Sequence, residues 1–177
     1  MRNYFTLCLI ALVMVGGTGL RARTVDPDGR PGPPRVAGPH VRGTTTRMTE
    51  MLMEAIKRSP TFAALVTAID NTDVIVHVEE VRQLPVGVDG RLTFVHAAGG
   101  VRYLRAQILG GRGAIDTMST VGHELQHALE VATQPKVRDL ASFATLYMQI
   151  GDQPIRSDRF DTAAAREAGR RVRNEMN

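Results

Sequence analysis

The stretch Val121-Gly122-His123-Glu124-Leu125-Gln126-His127-Ala128-Leu129-Glu130, written VGHELQHALE, places two histidines four residues apart, with a glutamate directly after the first. At about 100° per residue the surrounding segment sorts into two faces. Met118, Val121, Leu125, Ala128, Leu129 and Ala132 gather on one side. Asp116, Thr120, His123, His127 and Glu130 gather on the other, and Glu124 lies on the flank. The pattern predicts an amphipathic helix over 116–132 that buries an apolar stripe and turns both imidazoles elsewhere. Side chains four apart are neighbours on a helix surface. Two imidazoles so placed can hold one tetrahedral ion, with Glu124 beside it to take a proton from water.

Working outward, the residues upstream of this helix read as a sheet. Residues 73–81 (DVIVHVEEV) are rich in β-branched side chains and predict a strand. Residues 91–97 and 101–109 predict two more, joined by the hairpin signal Ala98-Gly99-Gly100. Residues 47–58 show apolar side chains at helical spacing, and Ser59-Pro60 separates them from a second short helix over 61–70. Downstream, residues 138–150 and 160–175 predict two further helices. The expected fold class is therefore α+β: a small, mostly antiparallel sheet, then the motif helix, then further C-terminal helices. No internal repeat is evident.

The N-terminal part differs in character. Residues 1–22 (MRNYFTLCLIALVMVGGTGLRA) combine one arginine, a short apolar run and small residues, the pattern of a secretory signal peptide. The run is too short to span a bilayer comfortably. A retained anchor is the other reading, and the cleavage point is open. Residues 23–46 are rich in Pro, Gly and Arg and read as a linker. Of the chain's 22 basic and 18 acidic residues, residues 1–42 carry six Arg and two Asp, so residues 43–177 hold 16 of each. A folded part without net charge removes the main support for a nucleic-acid partner. The expected location is secreted or periplasmic, with no stable membrane span once the signal is removed. Oligomeric state is not legible.

Cys8 is the sole cysteine and lies in the signal-like run, so no disulfide, thiolate nucleophile or cysteine-ligated metal is expected after processing. His123 and His127 leave a third ligand to find, since a catalytic zinc has three protein ligands as a rule. No histidine follows His127. The chain resembles zincin metallopeptidases in VGHELQHALEVA, and more narrowly small bacterial secreted zincin-like proteins in that segment together with RDLASFATLYMQIG and FDTAAAREAGRRV. The resemblance covers roughly 47–176, which it implies to be one zincin-like metallopeptidase domain over 47–177. It also implies a carboxylate third ligand, as in the gluzincin branch.

Three acids are candidates. Asp161 shares the face of Ala165, Ala168, Val172 and Met176 on the last predicted helix, and is either the ligand or that helix's N-cap. Similar proteins carry Tyr/Phe-Glu-Thr where this chain has Phe160-Asp161-Thr162, so the acid here is one methylene shorter. Glu130 lies on the face of His127 and either orients its imidazole or is solvated. Glu167 falls near Arg170 and Arg171, in solvent. His96 is either a satisfied sheet residue or a group that reaches the cleft to stabilise an oxyanion. His77 reads as a sheet residue, Tyr147 as a packing residue or a transition-state donor, and His40 as an idle linker residue.

The expected function is a Zn2+-dependent hydrolase acting on a peptide or protein substrate. His123, His127 and Asp161 hold the ion, and Glu124 is the general base. A peptide could add as a strand to residues 101–109, taken as a sheet edge. The alternative is a non-catalytic secreted binding domain that keeps a zincin-like fold. Peptide deformylases share the motif but need a cysteine ligand, which Cys8 cannot supply.

Overall fold

The computed structural model describes residues 37–151 and 161–177. Hydroxyl side chains and a proline punctuate its first helices. α1 (Thr46–Arg58) is capped by Thr45, whose side chain accepts from the Met48 N–H. α2 (Pro60–Asp70) is capped by Ser59, whose side chain accepts from the Phe62 N–H. Pro60 stands at the first helical position, where its missing N–H costs no bond. The signal-peptide reading, and the linker reading as far as residue 36, lie outside the described residues.

Four strands follow in the order β1-β2-β4-β3: β1 (Val41–Gly43), β2 (Val74–Val81), β3 (Gly90–Ala98) and β4 (Val101–Leu109). β3 and β4 pair antiparallel, closed by Gly99 (φ +57°) and Gly100 (φ +82°). Both turn residues need φ > 0, which glycine adopts freely. β1 pairs with β2, and β2 with β4, in parallel. The sheet is thus mixed, and the expectation of a mostly antiparallel one is corrected. The hairpin was legible, but residues 82–89 carry the chain past the place beside β2, so β4 fills it. β4 is central, not an edge; the edges are β1 and β3. Val74, Ile75 and Val76 are all buried in succession, the mark of a strand covered on both faces. That run was the available signal.

Val41–Gly43 also corrects the linker boundary, because the last part of 23–46 is an edge strand followed by a helix cap. Nor is His40 idle: it is buried, its N–H donates to Asp70 Oδ1 at 2.8 Å, and its carbonyl accepts from Val76 at 2.8 Å.

One sheet face carries Val74, Val76, Val78, Leu92, Phe94, Leu104, Ala106 and Ile108 into a single core with the helices. The other carries His77, Tyr103 and His96, with the tyrosine ring stacked at 4.5 Å on His96 and 6.5 Å from His77. α3 (Ala114–Ala132) packs against β2, β3 and β4. Arg102 points into the core at its C-terminal end. It donates to the carbonyls of Val131 (2.7 Å), Ala132 (3.0 Å) and Gln134 (2.8 Å) and pairs with Asp73 at 2.5 Å. A positive group there complements the helix dipole and its unpaired carbonyls.

α4 (Leu140–Ile150) begins with a reciprocal Asp139–Ser142 capping box. α5 (Ala163–Met176) packs across α3. Glycines make that crossing close. A Cβ at Gly122 would stand 2.8 Å from Val172 Cγ2, and one at Gly169 would stand 3.0 Å from the Ser119 carbonyl oxygen. Among the described residues no helix is long and apolar enough to cross a membrane.

Candidate metal centre

α3 brings His123 and His127 side by side, with ring centroids 4.8 Å apart. Both Nε2 atoms face one oxygen of Asp161: Oδ1 lies 3.4 Å from His123 and 3.9 Å from His127. The three potential ligand atoms lie within 4.8 Å of one another. Ligand atoms around a tetrahedral zinc are about 3.3 Å apart, given bonds near 2.0–2.1 Å. The trio therefore needs to contract by about 1.5 Å at its widest, and two imidazoles with a carboxylate are a donor set that suits zinc.

Asp161 is not the N-cap of α5. That position belongs to Thr162, whose hydroxyl accepts from the Ala165 N–H at 3.1 Å. Asp161 lies just outside the helix, so the inward face assigned to it within a helix over 160–175 does not apply. Its Oδ2 pairs with Arg166 at 3.2 Å, and its Oδ1 accepts from the Thr162 N–H at 2.7 Å while facing the histidines.

Glu130 sits behind His127. Its Oε2 is 2.8 Å from His127 Nδ1. A carboxylate there requires the imidazole to donate from Nδ1, which fixes the tautomer and leaves the Nε2 lone pair toward Asp161. Glu130 Oε1 accepts from the Thr162 hydroxyl at 2.7 Å. His123 is held as the neutral base by burial first and by its neighbour His127 second; together they lower its pKa from 6.5 to about 4 against the pull of Asp161.

Glu124 is buried, although the helical wheel places it only on the flank. α3 is central, so its flank meets β3. A Cβ at Gly90 would fall 2.5 Å from Glu124 Oε1. Burial foremost, then the Asp161 charge, raises the Glu124 pKa from 4.5 to about 7, against opposing pulls from His127 and the Leu92 backbone N–H. A carboxyl poised near neutrality can both accept and return a proton. Gly90 and Leu92 escaped the sequence reading, because nothing local marks a strand residue as the wall of a site on a later helix.

A cleft of about 790 Å³ opens over the centre. β3 contributes Gly90, Arg91 and Leu92; α4 contributes Leu140, Phe143 and Tyr147; α5 contributes Arg166, Arg170 and Arg173. Tyr147 donates its hydroxyl to the His127 carbonyl at 2.9 Å and sets its ring edge-on to His127. It therefore supports the motif helix. His77 and His96 stack with Tyr103 and do not line the cleft, so the oxyanion role considered for His96 finds no geometric support. Glu167 pairs with Arg170 and Arg171, away from the histidines.

Compared with known proteins, the chain matches no family model, no curated protein and no solved structure.

Proposed function

We propose that this protein is a zinc-dependent hydrolase of peptide bonds, built on a zincin-like arrangement. One observation carries the reading: His123 and His127 direct their Nε2 atoms at Asp161 Oδ1, with the buried Glu124 carboxyl next to them in the same cleft. A buried Glu124 and a neutral His123 at one cleft are what acid–base chemistry at neutral pH needs. A purely structural site has no use for Glu124.

His123, His127 and Asp161 would hold the ion, which, when bound, activates water and polarises a carbonyl. Glu124 takes the proton at its carboxylate as water attacks, then gives it to the leaving amine. Gly90 leaves room for that carboxylate and the Leu92 N–H donates to it. Glu130 keeps the His127 proton at Nδ1. The substrate is an extended peptide or protein chain beside β3, the edge strand whose residues line the cleft; strand addition there supplies backbone hydrogen bonds. The volume suits several side chains of such a ligand. The leader-like residues 1–22 support action outside the cytoplasm.

The test is elemental analysis of the protein purified without chelator, beside a His123→Ala, His127→Ala variant, followed by a peptide-cleavage screen with Glu124→Gln. The expected result is about one zinc per chain, lost in the double variant, and cleavage lost in Glu124→Gln with zinc retained. Zinc-free protein after zinc is supplied, or cleavage undiminished in Glu124→Gln, refutes the proposal.

A further inference from the structure

The cleft lining holds four arginines, Arg91, Arg166, Arg170 and Arg173, against three acids, Asp89, Glu124 and Asp161. Two of those acids belong to the centre itself. The excess is local, since residues 43–177 balance 16 basic residues against 16 acidic. Three of the arginines recur on α5 at the spacing i, i+4, i+7, which makes one stripe. They stretch along about 10 Å of helix at 1.5 Å per residue.

Their side chains are exposed, at 49% for Arg166, 66% for Arg170 and 50% for Arg173. Each has an acidic partner: Asp161, Glu167 and Asp116 respectively. Glu167 and Asp116 do not line the cleft. Ion pairs as exposed as these are weak and exchange partners readily.

We propose that the α5 stripe recognises acidic side chains of the substrate, so that the favoured peptide carries two or more Asp or Glu on one side of the bond presented to Glu124. This rests on the reading of the centre as a peptide hydrolase. One terminal carboxylate cannot meet guanidinium groups spread over about 10 Å. Alternate side chains of an extended strand stand about 7 Å apart, close to the roughly 6 Å between positions 166 and 170 of a helix. Guanidinium groups also match carboxylates in hydrogen-bond geometry.

The test reads binding, not turnover. The full chain with Glu124→Gln is titrated calorimetrically, with and without zinc, using decapeptides blocked at both ends. The peptides are identical except for three Glu, three Gln or three Lys on one flank, and both flanks are tried. A Gln peptide with a free C-terminal carboxylate is the fourth ligand. The Glu peptide is expected to bind about tenfold tighter than the Gln peptide at low salt, and the Lys peptide weakest. The gap should close near 1 M NaCl, where the screening length shrinks to about 3 Å. It should also vanish in Arg170→Gln/Arg173→Gln, whose melting curve serves as the fold control. Equal affinity for Glu and Gln peptides, a preference that survives the double substitution, no binding at all, or a free carboxylate that equals the three Glu residues each overturns the proposal. Absent cleavage by the unaltered chain counts against the hydrolase reading alone, because binding is read separately.

Discussion

The Thr162 hydroxyl donates to Glu130 Oε1 at 2.7 Å, and so joins the N-cap of α5 to the last turns of α3. The other oxygen of the same carboxylate holds His127 Nδ1. One acid thus orients an imidazole and anchors the segment that presents Asp161. Glu130→Ala is expected to lower zinc affinity about 10- to 100-fold with the fold retained. Thr162→Val should also destabilise the chain by about 1 kcal/mol through loss of the cap, whereas Thr162→Ser keeps both bonds. Competition titration with a chromophoric chelator, beside thermal melts, checks these outcomes. Unchanged affinity in Glu130→Ala would remove its orienting role.

Gly90 leaves room for the carboxyl of Glu124. In Gly90→Ala the new methyl would meet Glu124 Oε1 and Thr120 Cγ2, both at 2.5 Å. The variant should lose about 1–3 kcal/mol of stability and most of its turnover, with zinc still bound. Denaturant midpoints, metal content and cleavage rate, taken on one sample, separate these effects. Full turnover in Gly90→Ala would mean that Glu124 works from a different position.

Metal-free protein should show two opposing pH effects. Glu124 is raised from 4.5 to about 7, so its burial costs nothing below pH 4.5 and destabilises increasingly as pH rises toward 7. His123 is lowered from 6.5 to about 4, so its burial costs nothing above pH 6.5 and destabilises increasingly as pH falls toward 4. Glu124→Gln should therefore unmask stability that falls as pH drops from 6.5 to 4, and His123→Gln the reverse trend between 4.5 and 7. Urea midpoints across pH, in chelator, measure both. Parallel slopes in the two variants would contradict this assignment.

Arg102 is 1% exposed and Asp73 9% exposed. Removing Arg102 leaves Asp73 with only the half-exposed Arg138 at 3.5 Å, so Arg102→Met should cost roughly 3 kcal/mol, the lower end for breaking a buried pair. It would also strip donors from the C-terminal carbonyls of α3. Arg102→Met/Asp73→Leu should recover part of the loss. A double-mutant cycle by denaturant unfolding reads the coupling, and independence of the two sites would refute a stabilising Arg102–Asp73 pair.

Much of this arrangement was legible because its signals are local. Helical period exposed α3, Ser59-Pro60 split α1 from α2, and Gly99-Gly100 announced the hairpin. His123 and His127 were legible from the motif's spacing, whereas Asp161 was one of three candidate acids, favoured by the resemblance and by an inward helical face that it does not have, since it lies just before α5. What stayed hidden depends on distant partners. Whether β2 neighbours β3 or β4 is decided by pairing across the sheet, not by either strand's own pattern. β1 is three residues long, too short for any period to register. The burial of Glu124 follows from the place of α3 between sheet and α5, which the helical wheel alone cannot supply. Arg102 reads as one more charge in a strand until the end of α3 arrives above it.

Gly122 and Gly169 have a consequence for how this protein can vary. Gly169 lies against the Ser119 carbonyl and Gly122 seats the stiff, branched Val172 side chain, so the separation of the two helices leaves repacking little to thicken or thin. A Cβ at Gly169 would come within 3.3 Å of His123 Cβ itself. The spacing between the motif helix and the segment bearing Asp161 is therefore gauged by two missing methyl groups. Drift elsewhere in the core can soften the molecule and leave that gauge unchanged, whereas a single added carbon at either glycine resets it.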